Sequence, residues 1–243
     1  MTDADPGSLN PERLPPRGVR TSGAEPGRPT RVVLVRHGEA ACNTDGVVGG
    51  PRGCTGLTAL GLHQVGALAD RLARRGELAG VAALYSSVLP RAVQTARGIA
   101  PALDRWREGP PLVPVEDCEL CELHPGEADG LTWAEFSTRF PRPDWDADPD
   151  QPLAPGGESW NGFTARAAAG VTALAGAHPG QLVVAACHAG VIEATLLRFL
   201  PVRGIRLGLR TEHASITEWE RHGDRWLLRR YNDVTPLDAG GPP

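Results

Sequence analysis

The chain has 243 residues, of which 41% are hydrophobic and 22% are charged, and this is enough for one sizeable α/β domain. Its formal net charge is -4 and its pI is near 6.0, so it lacks the basic surface that a nucleic-acid partner needs. No apolar run reaches the roughly 18 residues that a membrane span requires. We therefore expect neither a nucleic-acid nor a membrane partner, and a homodimer stays an open alternative.

The first part of the chain differs in composition from the rest. Residues 1–29 are rich in proline, glycine and charge and have almost nothing to bury. Because such a segment cannot offset its ordering entropy, we expect a disordered tail there. From residue 31 onward, apolar strands alternate with amphipathic helices, which is typical of a mainly parallel sheet covered by helices on both faces. The sequence thus predicts a single α/β domain over residues 30–243, with three αβα layers.

The predicted elements follow in chain order. The β-branched run at 31–35 indicates a buried strand, and residues 78–86 contain a second one. Further strands are predicted at 112–115, 181–186, 214–219 and 225–231, the last two joined by a turn at Gly223 and Asp224. Helices are predicted at 60–75, 90–99, 132–140, 159–177 and 190–200. Pro90 suits a first helical turn, Pro101 is expected to end that helix, and Ser159 is the predicted N-cap of the helix at 159–177.

Chemistry is first indicated where the strand at 31–35 ends, because Arg36, His37 and Gly38 follow it. Adjacent strand residues face opposite sides, so an Arg-His pair converges on one ligand only after the strand has ended. Gly38 supplies the necessary backbone freedom. Parallel sheets bind their ligands at this end of the strands. A neutral imidazole is a nucleophile at neutral pH, although a strand-end histidine is more often a hydrogen-bonded structural residue.

Two later segments have a related arrangement. In residues 85–96 a strand leads through Pro90 into a helix that carries Arg91 near its start. At this end of a helix, the backbone N–H groups and the helix dipole favour the binding of anions, and an arginine adds further donors. In residues 182–192 a buried strand ends at His188 before a turn of small residues. The ordered set resembles the Arg-His-Gly, arginine and second-histidine motifs of the histidine phosphatase superfamily, also called the phosphoglycerate-mutase-like family. That family commonly has glycine after the second histidine, where this chain has Ala189.

The resemblance implies a fold, a mechanism and a set of site residues. It implies a phosphoglycerate-mutase-like sheet flanked by helices, a covalent phosphohistidine on His37, and no metal or organic cofactor. The implied ligands of a small phosphorylated substrate are Arg36, Asn43, Gly49, Gly50, Arg91 and His188. For the two glycines the expected contact is through backbone N–H groups.

The proton donor to the leaving oxygen is assigned by register. Glu122 lies four residues before Gly126 and eight before Gly130, as the family's catalytic glutamate does. Pro125 and Asp129 depart from the family pattern in this loop. One further histidine, His213, precedes a late strand, where the substrate mouth and the open surface are both reasonable locations.

The resemblance leaves a choice between hydrolysis and transfer of the phosphoryl group. Cofactor-dependent mutases have a longer, basic stretch after the catalytic glutamate, whereas residues 140–157 here are rich in proline and aspartate. The aspartates at 144, 146, 148 and 150 would repel a doubly phosphorylated ligand, or they form a solvated loop. We therefore expect a phosphomonoester hydrolase acting on a small phosphorylated metabolite. The alternatives are a phosphoglycerate-mutase-type transfer and a phosphate-binding module without catalysis.

The cysteines bear on the cellular compartment. There are five, an odd number, and no signal peptide precedes them, so we expect a reduced, cytoplasmic protein. Cys118 and Cys121 have the spacing of a redox or zinc pair. A second matching pair and a thioredoxin-like context are missing, so the sequence favours free thiols and no metal.

Overall fold

The computed structural model describes residues 27–202, 204 and 206–234, so nearly all of the predicted tail lies outside the described part. The strands are β1 (Thr30–Arg36), β2 (Ala83–Ser86), β3 (Val115–Glu116), β4 (Leu182–Cys187), β5 (Ile216–His222) and β6 (Arg225–Asp233). The α-helices are α1 (Ala41–Thr44), α2 (Ala59–Arg75), α3 (Pro90–Asp104), α4 (Trp133–Arg139), α5 (Trp160–Ala177) and α6 (Ala189–Phe199). Short 3₁₀ turns span Cys118–Leu120 and Gly126–Ala128.

The strands form one sheet in the order β3-β2-β4-β1-β5-β6. The pairs β2–β3, β2–β4 and β1–β4 are parallel, while β5 pairs antiparallel with both β1 and β6. The prediction of a mainly parallel central sheet is confirmed. Arg36 pairs with Cys187 and Ser86 with Ala186, so the carboxyl ends of three parallel strands meet at one edge.

Each face of the sheet is covered by a pair of helices, as the continuous apolar runs predict. On β1, Val32 and Leu34 belong to a core cluster with side chains of α5 and α6. Val33 and Val35 belong to a second cluster with side chains of α2 and α3. The alternation of side chains along the strand divides the core in this way, and it gives the three layers.

Three element predictions are wrong in their bounds, and one of them is β5, which spans Ile216–His222 where 214–219 was predicted. Pro101 lies inside α3, which continues to Asp104. Ala100, Ala102 and Leu103 are all buried, and their packing offsets the hydrogen bond that proline cannot donate. The third strand is only Val115–Glu116, instead of 112–115, and it lies at the sheet edge.

The remaining local predictions agree with the structure. The Ser159 side chain accepts the N–H of Gly162 as an N-cap, and His222 pairs with Arg225 across the two-residue turn. Among the described helices, none combines the length and apolar character of a membrane span.

Candidate active site

His37 lies just beyond the end of β1 and is 3% exposed. Its Nδ1 atom is 2.6 Å from the carbonyl oxygen of Gly38, an acceptor, so Nδ1 carries the proton and donates it. The lone pair is therefore on Nε2, where the Nε–H of Arg91 donates to it over 3.2 Å. Burial, and then the Arg91 charge, hold the pKa of His37 well below its usual value. The ring is therefore neutral at neutral pH.

Arg91 joins the two histidines of the site. It follows Pro90 in the first turn of α3 and is 4% exposed. Its Nε–H is shared between His37 Nε2 and His188 Nδ1, at 3.2 Å each, and its Nη1 donates to the Gly49 carbonyl over 2.7 Å. The guanidinium is thus anchored from three sides, and it fixes the orientation of both imidazoles.

His188 is fully buried at the N-cap of α6, with its ring centroid 5.1 Å from that of His37. Because Nδ1 accepts the hydrogen bond from Arg91, the proton is on Nε2. That buried Nε2 has no hydrogen-bond partner among the described residues. Burial and the Arg91 charge lower the pKa of His188, so it is a neutral donor. An unpaired buried N–H costs free energy that an oxygen of a bound ligand would recover.

Arg36 ends β1, and part of its guanidinium is held by the segment before β5. It donates to the Thr211 carbonyl, and its Nη2 is 2.9 Å from Nε2 of His213. Its buried Nε has no partner among the described residues. The His213 ring lies 5.6 Å from the His37 ring, and burial, then the Arg36 charge, lower the pKa of His213 to about 4. His213 is therefore beside the site rather than on the open surface.

Glu122 lines the same pocket as His37, whereas Glu119 and Glu127 are not among the lining residues. Its carboxylate accepts the N–H of Leu123 over 3.2 Å and that of Gly190 over 3.1 Å. A Cβ at Gly190 would overlap Glu122 Oε1 and would displace the carboxylate from this position. The start of α6 thus positions the carboxylate that the register assigned.

The predicted residues Asn43, Gly49 and Gly50 also line the pocket. The Asn43 side-chain oxygen accepts the N–H of Ala40 over 3.3 Å. The N–H of Gly50 differs from the expected phosphate donor, because it bonds to the Val48 carbonyl within the loop. Both glycines are required by close packing, since a Cβ would lie 2.5 Å from Cys42 Sγ at Gly49 and 2.6 Å from the Asp129 side chain at Gly50.

The unusual residue Asp129 has a structural role in this loop. Its carboxylate accepts the N–H of Arg52 over 2.8 Å and that of Gly53 over 3.0 Å. Arg52 and Gly53 belong to the loop that follows Gly50. Asp129 therefore holds this loop against the segment that follows Glu122.

The pocket has a volume of about 590 Å³, and much of its wall was not predicted from the sequence. Four aromatic side chains and two arginines contribute: Trp133, Phe136, Trp145, Trp160, Arg142 and Arg206. Trp145 and Trp160 stack with ring centroids 5.5 Å apart. The residues come from distant segments, and no local pattern in the sequence marked them as pocket residues.

The stretch at 140–157 contributes Arg142, Pro143, Trp145 and Leu153 to the pocket, and none of its four aspartates. Those aspartates are exposed, and the Asp144 side chain accepts the N–H of Asp146 within the loop. The expected repulsion of a doubly phosphorylated ligand by these carboxylates is therefore not supported. The solvated loop is the arrangement that the structure has.

A buried neutral histidine beside two arginines, a second histidine and a carboxylate is an arrangement suited to phosphoryl transfer. The sequence profile of the histidine phosphatase superfamily (branch 1) matches residues 32–234. The chain belongs to this superfamily. As a member of the superfamily with phosphatase relatives, it is an enzyme that hydrolyses phosphomonoesters of small metabolites.

Several relatives are similar over most of the chain. A metal-independent phosphoserine phosphatase from Arabidopsis thaliana is 31% identical over 87% of this chain and 85% of its own length. A bifunctional protein from Mycobacterium tuberculosis is 35% identical over 91% of this chain, which spans only 58% of that protein. Among solved structures, a mycobacterial glucosyl-3-phosphoglycerate phosphatase has a TM-score of 0.67 and 29% identity, covering 83% of this chain and 98% of that one.

Proposed function

We propose that the reaction proceeds through a phosphohistidine on Nε2 of His37. The observation that carries the proposal is the tautomer, because the Gly38 carbonyl holds the proton on Nδ1 and leaves the Nε2 lone pair facing Arg91. A phosphate oxygen that takes over the Arg91 N–H frees this lone pair for attack on phosphorus. Arg36, Arg91 and the Nε2–H of His188 then stabilise the charge on the non-bridging oxygens.

The two half-reactions use Glu122 in opposite directions. In the first, the bond between His37 Nε2 and phosphorus forms, the ester P–O bond breaks, and Glu122 gives a proton to the leaving oxygen. In the second, the Glu122 carboxylate takes a proton from water, the water oxygen attacks phosphorus, and the P–N bond breaks to release inorganic phosphate. Its location in the pocket wall supports both roles.

Trapping the intermediate tests this mechanism. Enzyme mixed with a ³²P-labelled substrate and denatured rapidly at alkaline pH is expected to give a labelled peptide that contains His37. His37→Asn is expected to give no label, while His63→Asn, at an exposed histidine outside the pocket, serves as the matched control. Label on a cysteine or serine would overturn the proposal.

We further propose that the substrate carries a carboxylate beside its phosphoester. Arg142 and Arg206 line the pocket in addition to the phosphate-binding arginines. Glu193 also lines the pocket, and its carboxylate accepts the N–H of Leu207 over 2.9 Å. This hydrogen bond holds the segment that carries Arg206, the residue before Leu207, against α6. The names of two relatives, phosphoserine phosphatase and glucosyl-3-phosphoglycerate phosphatase, describe substrates of this class and support the proposal.

Matched substrate pairs test the carboxylate. The value of kcat/KM should be higher for phosphoserine than for phosphoethanolamine, and higher for 3-phosphoglycerate than for glycerol 3-phosphate. Arg142→Gln and Arg206→Gln should each reduce the preference roughly 2–5-fold, because exposed ion pairs contribute up to about 1 kcal/mol. Arg139→Gln is the control, since Arg139 is outside the pocket wall. Equal rates within each pair would contradict the proposal, and conversion of phosphoglycerate isomers without phosphate release would favour the mutase alternative.

A cytoplasmic location is also proposed. The five cysteines are all free, as expected for a protein kept in a reducing compartment.

A further inference from the structure

Three metal-ligand side chains come together outside the pocket, on the segment that carries Glu122. Cys118 Sγ lies 3.1 Å from Cys121 Sγ and 3.3 Å from His124 Nε2. All three ligand atoms lie within 4.8 Å of one another. The sequence showed the two cysteines, but the histidine three residues later becomes a partner only through the 3₁₀ turn at Cys118–Leu120.

The surroundings of the cluster match those of a metal site. The second ring nitrogen of His124, Nδ1, is 3.5 Å from Oε2 of Glu158, and such a carboxylate orients a histidine for metal binding. Glu158 is itself held by a two-point ion pair with Arg166, at 2.6 and 2.8 Å. On the other side, the Ser87 hydroxyl donates to Cys121 Sγ over 3.3 Å. Two of the three ligands thus have a positioned outer partner.

The backbone of this segment is also prearranged. The Arg166 guanidinium donates to the carbonyl oxygens of Cys118, Glu119 and Cys121 over 3.0–3.3 Å. The same guanidinium also donates, from Nη2, to the Glu122 carbonyl over 3.4 Å. The half-buried guanidinium of Arg166 therefore holds the turn in the conformation that brings the ligands together, which lowers the entropy cost of binding a metal.

We propose that Cys118, Cys121 and His124 form a binding site for Zn²⁺. Tetrahedral zinc, with Zn–S near 2.3 Å and Zn–N near 2.0 Å, separates its sulfur ligands by about 3.8 Å and sulfur from nitrogen by about 3.5 Å. The Cys118–Cys121 distance of 3.1 Å and the Cys118–His124 distance of 3.3 Å reach these values by lengthening about 0.7 and about 0.2 Å. Cys118 is exposed, so solvent reaches the remaining coordination position.

The cysteine pair is arranged as zinc requires. The Cys118 thiol donates to Cys121 Sγ, so the two sulfur atoms already face each other. Zinc binds the thiolate form, and its binding releases the protons of both thiols. Two thiolates and Zn²⁺ together are neutral, so the bound metal leaves the neighbouring ion pair of Arg166 and Glu158 balanced.

The site has a structural consequence for the enzyme. Its ligands flank Glu122, with Cys121 immediately before it and His124 two residues after it. Bound zinc would therefore restrain the backbone on both sides of Glu122. The metal takes no part in the phosphoryl chemistry, and its binding does not depend on the proposed reaction mechanism.

Metal titration of the full-length, reduced and chelator-treated protein tests the proposal. Co²⁺ should bind at one equivalent with a thiolate-to-cobalt charge-transfer band, and one equivalent of Zn²⁺ should displace it. Cys118→Ser and His124→Asn should lose this band. Matched controls are Cys54→Ser, at a cysteine outside the cluster, and His63→Asn, at an exposed histidine, and both should keep it.

Two further measurements decide between a specific site and adventitious thiols. Free zinc at a hundredfold excess over Kd should raise the Tm by roughly 5–10 °C in the parent protein and in the controls, and not in His124→Asn. Zinc should also slow amide hydrogen exchange across residues 118–126. His124→Asn changes a partly exposed side chain, so it decides the question even if Cys118→Ser folds poorly.

Three outcomes would overturn the proposal. One is failure of the reduced protein to take up metal. Another is uptake that is the same in His124→Asn as in the parent protein. The third is a Cys118–Cys121 disulfide that persists under mild reductant and excludes the metal, which would make the pair a redox element.

Discussion

Replacing Glu122 with glutamine tests the proposed proton donor. The carboxylate accepts two backbone N–H groups, from Leu123 and Gly190, one on each oxygen. Glutamine keeps the shape but offers one acceptor oxygen and one NH₂ group, so one of the two N–H groups loses its acceptor. The change therefore removes the transferable proton and, as a smaller effect, one hydrogen bond.

The two effects have different magnitudes and can be separated. Loss of general-acid catalysis should lower kcat on an alkyl phosphate by roughly 10²–10⁴, which is about 2.7–5.4 kcal/mol in the activation barrier. A nitrophenyl ester should lose less, because its leaving group needs little protonation. The unpaired N–H should cost about 1–3 kcal/mol of stability, which a thermal unfolding measurement detects independently of the rate.

The assay compares kcat for the two leaving groups in the parent protein and in three variants. Glu119→Gln and Glu127→Gln are matched controls, because these nearby glutamates do not line the pocket. Both should leave kcat within about twofold, as expected for substitutions away from the reacting groups. A nearly silent Glu122→Gln together with a crippled Glu119→Gln or Glu127→Gln would refute the assignment.

Two other predictions follow from the same geometry. Gly190→Ala places a Cβ against Glu122 Oε1, so kcat on alkyl phosphates should fall by roughly tenfold or more while Ala189→Gly stays near the parent value; equal rates would show that the carboxylate can shift freely. For pH, the lowered pKa values of His37 and His188 mean that the unfolded chain is protonated first as pH falls below 6.5. The free energy of unfolding should therefore be greatest above pH 6.5 and fall below it, by up to about 1.4 kcal/mol per pH unit for each histidine. Urea unfolding at about pH 7 and about pH 5 checks this, and constant or rising stability at the lower pH would contradict it.

Much of the scaffold could be predicted from local patterns. The apolar run at 31–35 indicated a strand covered on both faces, and β1 is buried in this way. Because parallel strands end at the same edge of a sheet, strand-end residues such as His37 and His188 could be expected to meet. The register of Glu122 relative to Gly126 selected one of three nearby glutamates, and only that one lines the pocket.

Local patterns failed where distant segments compete with them. Proline normally ends a helix, yet α3 continues past Pro101 because the residues around it pack into the core. A glycine pair suggested free N–H donors, but Gly50 donates to Val48 and is constrained by the side chain of Asp129. In both cases contacts between residues far apart in the chain outweigh the preference of the local sequence.

By itself, the sequence determined the order of the strands and helices and the residue types at the strand ends, because hydrophobic periodicity and turn chemistry act over a few neighbouring residues. Only the tertiary structure decided the protonated nitrogen of His37, the pocket wall that includes Arg142 and Arg206, and the meeting of His124 with the cysteine pair. These features depend on distances of a few ångströms between side chains from separate segments or on the exact path of an irregular loop. Such distances are set by the packing of the whole core, which the order of residues along one segment does not specify.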